Sequence, residues 1–166
     1  MKTLRFSVST LVAMLATFAA GGARIPLLSR VDWFLLATAY QASAGDFVAS
    51  TLGGGAGGLI QDILLLPLKG ANAFAKALLG YLLTLVSVRV VFAGTLVVGV
   101  TIAAASLVNT LLVALLGRLL LGSRFSFGFT DLAGGLVTGA AGGLLYWAWR
   151  FPWREEWLRR QRRKLR

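Results

Sequence analysis

Between Asp131 and Trp149 the chain sets a glycine every four residues, at Gly135, Gly139 and Gly143, with Asp131 one turn before and Trp147 one turn after. On an α-helix these five positions share one face, and three successive glycines leave a groove that a second backbone can enter. Such a segment is made to pack helix on helix. Its setting is apolar: Leu132 to Trp149 carries no charged side chain over 18 residues, and Val90 to Gly117 carries none over 28. About 20 apolar residues cross the hydrocarbon core, so the longer run is ample and the shorter suffices once residues 127–130 join it.

Only 14% of the 166 side chains are charged, 57% are hydrophobic and the mean hydropathy is +0.77. That is too little polar surface to coat a soluble globule, and it predicts an integral membrane protein. The net charge of +11 reads as topology rather than as a nucleic-acid footprint, because eight of the 17 basic residues lie at Arg150 or beyond. A basic cluster directly after a span marks a tail held on the cytoplasmic side. No nucleic acid is expected as a partner.

Cysteine and histidine are both absent. Their absence removes disulfides, thiolate-held zinc or iron–sulfur clusters, imidazole-held haem and the commonest general base. The four Asp and two Glu are too scattered to form a metal motif, and no phosphate-binding glycine loop, nucleophile elbow or zinc-protease helix occurs. An enzyme is therefore the least favoured class, and no cofactor is expected.

Residues 1–30 form an N-terminal hydrophobic segment. A basic start at Lys2 and Arg5, an apolar stretch from Phe6 to Phe18 and small residues from Ala19 to Ala23 outline either a signal peptide or a first transmembrane helix. A mitochondrial presequence is a third reading, since no acidic residue precedes Asp32. Residues 31–150 form the helical transmembrane domain and 151–166 the basic tail. Trp33 to Leu52 is hydrophobic, with Asp46 inside it, and runs into Gly53 to Gly58, where five of six residues are glycine. Glycine costs up to about 1 kcal/mol per residue relative to alanine in a helix. That region reads as a helix with a flexible middle, a span followed by a break, or a re-entrant hairpin.

A turn around Lys69, Asn72 and Lys76 leads to a second stripe of small residues, Ala73, Ala77, Gly80, Thr84 and Ser87, in steps of four and three. The candidate helix-packing positions are thus Gly135, Gly139, Gly143, Ala73, Ala77 and Gly80. Asp46, Asp62, Arg89 and Asp131 are the candidate intramembrane polar residues; at depth such groups are paired or functional, and near an interface they snorkel. In the tail, Trp153, Trp157, Arg159, Arg160, Arg162 and Arg163 are candidate contacts to anionic lipid headgroups or an acidic partner.

The expected fold is all-α and polytopic, with three to four transmembrane helices packed through small-residue faces and an interfacial C-terminal helix. In the four-span form both termini share one side, with the Lys69/Lys76 segment inside and the 118–131 connection outside. The membrane is expected to be the bacterial inner membrane, or the mitochondrial inner membrane, with the C-terminus in the cytoplasm or matrix. Two functions follow. The first is a non-catalytic subunit packed with other transmembrane subunits, or with itself, in a larger assembly. The second is a small homo-oligomeric pore, holin-like protein or transporter in which Asp46, Gln61, Asp62 or Arg89 lines a polar path.

Overall fold

The computed structural model describes residues 2–22, 28–65, 70–89, 94–121 and 129–150. Among these it is all-helical: α1 (Lys2–Gly22), a short 3-10 turn (Leu28–Arg30), α2 (Trp33–Ala42), α3 (Phe47–Leu65), α4 (Ala71–Arg89), α5 (Thr95–Leu121) and α6 (Phe129–Arg150). The basic tail, with Trp153, Trp157, Arg159, Arg160, Arg162 and Arg163, lies outside the described residues.

Two antiparallel hairpins, α3 with α4 and α5 with α6, make the most extensive contacts, and α4 against α5 joins them. Helix α2 lies against α1, α3 and α4, and the apolar core follows from that placement. Leu35 and Ala42 meet Leu79, Leu83 and Ala105, while Val31 and Leu36 meet Ile102. Helix α1 is tied to the end of α2 by Gln41 Nε2 donating to Ser9 Oγ at 2.8 Å.

The helix bounds decide between the readings left open for residues 33–65. The stretch from Trp33 to Leu65 is two helices rather than one, because the chain turns at Ser43–Asp46, well before the glycine run. Gly45 takes a positive φ of 72° there, and Asp46 Oδ1 accepts from Ala49 N to start α3. The run Gly53–Gly58 is continuous helix, because its missing side chains are what let α4 approach. A Cβ on Gly54 would fall on the Lys76 carbonyl, and one on Gly58 on the Asn72 carbonyl. The backbone contact offsets the low propensity of glycine, as tertiary packing commonly does. Helix α4 ends at Arg89 and α5 begins at Thr95, so the interruption expected at Arg89 separates two helices.

The second stripe faces the glycine run. Gly80 lies against the Ser50 carbonyl, Ala77 against Gly55, and the Thr84 and Ser50 hydroxyls are 2.6 Å apart. Ser87 Oγ donates to the Ala42 carbonyl at 3.0 Å, which locks the end of α2 to α4.

Helices α4 and α5 are long and apolar enough to cross a membrane. In α5 only 22% of the most apolar window is buried. Leu96, Val100, Leu111, Leu115 and Leu119 recur in steps of four and eleven along its exposed side.

Candidate functional site

The described residues bury several polar and charged side chains, and the group around the start of α4 forms one connected network. It begins with Asp62, on the last turn of α3 and fully buried. Helix α4 starts after Gly70, whose φ of 95° suits glycine and which offers no side chain to cap the helix. Asp62 supplies the missing cap from a neighbouring helix. Its Oδ2 accepts from Gly70 N at 2.9 Å and Ala73 N at 3.1 Å, and its Oδ1 from Asn72 N at 3.3 Å. A carboxylate on the first amides of a helix also meets the positive end of the helix dipole.

Because an ionised carboxylate only accepts, the network's remaining orientations follow in sequence. Asn72 Nδ2 must face Asp62, and does so, donating to Oδ1 at 2.9 Å. Asn72 Oδ1 then points away and accepts from Lys76 Nζ at 3.4 Å. The amide of Asn109 on α5 lies 3.5 Å from that same oxygen through Nδ2, a long contact. Its own Oδ1 is therefore turned away from Asn72. That oxygen is buried and has no hydrogen-bond partner. An acceptor left unsatisfied in this way costs about 1–3 kcal/mol.

Lys76 is fully buried and its ammonium donates to Asp32 Oδ2 at 2.7 Å. Asp32 also caps α2, with Oδ1 accepting from Leu35 N at 2.9 Å, and its own amide donates to Thr138 Oγ1 of α6 at 3.1 Å. A buried ammonium without a counter-charge would cost several kcal/mol, so this pair is a condition for Lys76 to sit where it does. The network thus reaches α2, α3, α4, α5 and α6. Beside it opens a cleft of about 220 Å³, lined by Arg30, Asp32, Ser106, Asn109, Thr110 and Asp131 together with the first glycines of the α6 stripe.

Of the other polar sequence candidates, Asp46 and Arg89 lie away from this network. Asp46 caps α3 and Arg89 is exposed at the end of α4, so both belong to the opposite end of the α3/α4 hairpin. Sixteen residues of helix separate Asp46 from Asp62, about 24 Å at 1.5 Å per residue. Gln61 is half-buried, with a buried Oε1 that has no partner. Asp131 is half-buried at the cleft. These residues do not converge on one path.

The α6 stripe meets a matching stripe on α5. A Cβ on Gly139 would stand 2.6 Å from Ala103 Cβ and 2.7 Å from the Gly99 carbonyl, and one on Gly135 would stand 2.9 Å from Leu107. Gly143 faces Thr95 and Gly99 at 3.4 Å or more. Sequence reasoning did not single out Asp32, Lys76, Asn109 or Thr138 as a group. The readable signal was the capping position of Asp32 just ahead of an apolar run. Among the described residues there is no cluster of three or more metal-ligating side chains. Comparisons with family models, curated proteins and solved structures find no match to this chain.

Proposed function

We propose that this chain is a non-catalytic integral membrane subunit that packs into and stabilises a larger membrane assembly. The observation that carries this reading is that the charged groups of the polar core are used on one another and on helix starts. Asp62 is used on the amides of α4, Lys76 on Asp32, and Asp32 on the start of α2. Groups held this way fix helix positions. A conducting pore would instead keep such groups along a shared polar path, and Asp46, Asp62 and Arg89 stand at opposite ends of one hairpin. The outward apolar side of α5 suits lipid or a transmembrane neighbour.

In this reading the helices alternate across the bilayer, and α2, about 15 Å long at 1.5 Å per residue, crosses only part of it. A C-terminus on the cytoplasmic side puts the starts of α2, α4 and α6 toward the outer side and keeps both chain ends inside. The Lys69/Lys76 segment then moves outside, and Lys76 adds no net positive charge there because Asp32 neutralises it. The bacterial inner membrane remains the proposed location. Anionic headgroups are the proposed contact of the tail.

The test is purification of the tagged chain in mild detergent from carbonate-washed membranes. Other chains recovered in fixed ratio support the subunit. A homo-oligomer that makes liposomes leak would replace this reading with the pore.

A further inference from the structure

We infer that the cleft beside the Lys76–Asp32 pair is a blind, water-filled recess that brings the outer aqueous phase to the middle of the membrane. The inference rests on the membrane reading above and adds a route for water, and with it for protons and small ions, to one end of the pair. Its starting point is the register of α5 against its neighbours. Gly135 of α6 lies against Ala103 and Leu107, so Phe129, six residues earlier and the first of α6, stands level with about residue 111. Asn72, the second residue of α4, meets Asn109. Helix α5 runs on to Leu121, so its last ten residues, about 15 Å at 1.5 Å per residue, rise past the starts of both.

That extension is apolar on its outer side. Leu111, Leu115, Leu119 and Leu120 are each more than half exposed, and Arg118 is the one charged residue of α5. Leucines so exposed belong in hydrocarbon, which sets the outer boundary of the bilayer core near Arg118 rather than at the starts of α4 and α6. Ser106 is twelve residues from Arg118, about 18 Å, and eleven from Thr95, about 16 Å, which places it near mid-depth.

At that level the two sides of α5 differ. Val108 is exposed on one side, while the cleft on the other is lined by Ser106, Thr110, Asp32, Asp131 and Arg30. Charged side chains at this depth are not left against lipid tails, and Arg30 is exposed there. A polar opening of about 220 Å³ holds several waters, each of which takes about 30 Å³. Asp32 keeps 16% exposure while bound to Lys76, and its carboxylate has lone pairs beyond those used on Lys76 and the start of α2. Lys76 itself is fully buried, so water reaches the pair from the Asp32 side alone.

The chain has no cysteine, so single cysteines report without background. Thr110→Cys in the cleft, Val108→Cys on the opposite side of α5 and Leu115→Cys on the extension are made one at a time in the full chain. A membrane-impermeant methanethiosulfonate with a trimethylammonium group is added to the outer side of intact cells or oriented vesicles. Thr110→Cys should react faster than either other variant by roughly tenfold or more, because only the thiolate reacts and an apolar setting suppresses it. Reagent on the cytoplasmic side alone should leave Thr110→Cys unmodified. Ser106→Cys, a one-atom change in the same lining, replaces Thr110→Cys if that variant does not fold.

Equal, slow labelling of Thr110→Cys and Val108→Cys would overturn the inference, since the cleft would then be dry. So would labelling of Leu115→Cys as fast as Thr110→Cys, which would put the cleft at the membrane surface, or labelling of Thr110→Cys from the cytoplasmic side only. Failure of the membrane reading is distinguishable, because the chain would then leave membranes in the carbonate wash.

Discussion

The two hairpins solve the same packing problem by different chemistry. In α3/α4 the glycine approach is reinforced by polar ties: the Asp62 cap, the Ser50–Thr84 hydroxyl pair, and Lys76 reaching across to Asp32. In α5/α6 the contact around Gly135, Gly139 and Gly143 is made against Leu107, Ala103, Gly99 and Thr95, largely small and aliphatic groups. Dispersion contacts weaken gradually as surfaces separate, whereas a buried charge deprived of its partner is penalised at once. The first hairpin is therefore specified in register by its polar atoms. The second is specified by shape.

The largest effect that could break this comparison is at Asp62. Asp62→Leu leaves three amides and the Asn72 side chain without their acceptor, and should lower stability by more than about 3 kcal/mol. Chemical unfolding in detergent measures it; a loss under about 1 kcal/mol means the cap is ornamental.

Next is the ion pair. Lys76→Met should destabilise by up to about 3 kcal/mol, somewhat less than for a fully enclosed pair because Asp32 retains 16% exposure. The double variant Lys76→Met with Asp32→Asn should recover much of the loss, since no lone charge remains. Purely additive losses would show that the two groups do not act as a pair.

Glycine substitutions sharpen the contrast further. Gly58→Ala puts a methyl group into the α4 backbone at Asn72, and overpacking of about 1–3 kcal/mol should outweigh the helix-propensity gain of up to about 1 kcal/mol. At Gly139 the obstacle is Ala103 Cβ and the Gly99 carbonyl, so Gly139→Ala should cost somewhat less. Gly139→Leu should disturb the α5/α6 contact inside this chain before it disturbs any partner.

The smallest effect is at Gly143, where a Cβ would find its nearest neighbour at 3.4 Å. Gly143→Ala should be neutral or stabilising by up to about 1 kcal/mol. Thermal unfolding of the three alanine variants should rank them Gly58, Gly139, Gly143. An inverted order would show that α5/α6 is the more tightly specified hairpin.

Periodicity alone determined which faces of α4 and α6 carry small residues, because helical spacing is a local property of the chain. Composition likewise limited the chemistry, since side chains that are absent cannot act. What each stripe meets was decided only by tertiary structure. Gly139 could as well have faced a second protein, and the matching Thr95, Gly99 and Ala103 face becomes meaningful only once α5 lies alongside.

The glycine run at 53–58 shows the limit clearly. Read locally it weakens a helix, while in the fold it is what allows α3 and α4 to touch. The same holds for the charges. Asp62 precedes the amides it caps by 8 to 11 residues, and Lys76 lies 44 residues from Asp32. Neither spacing is a repeat or a motif. Those partners are chosen by the route of the backbone, and burial then makes their pairing obligatory.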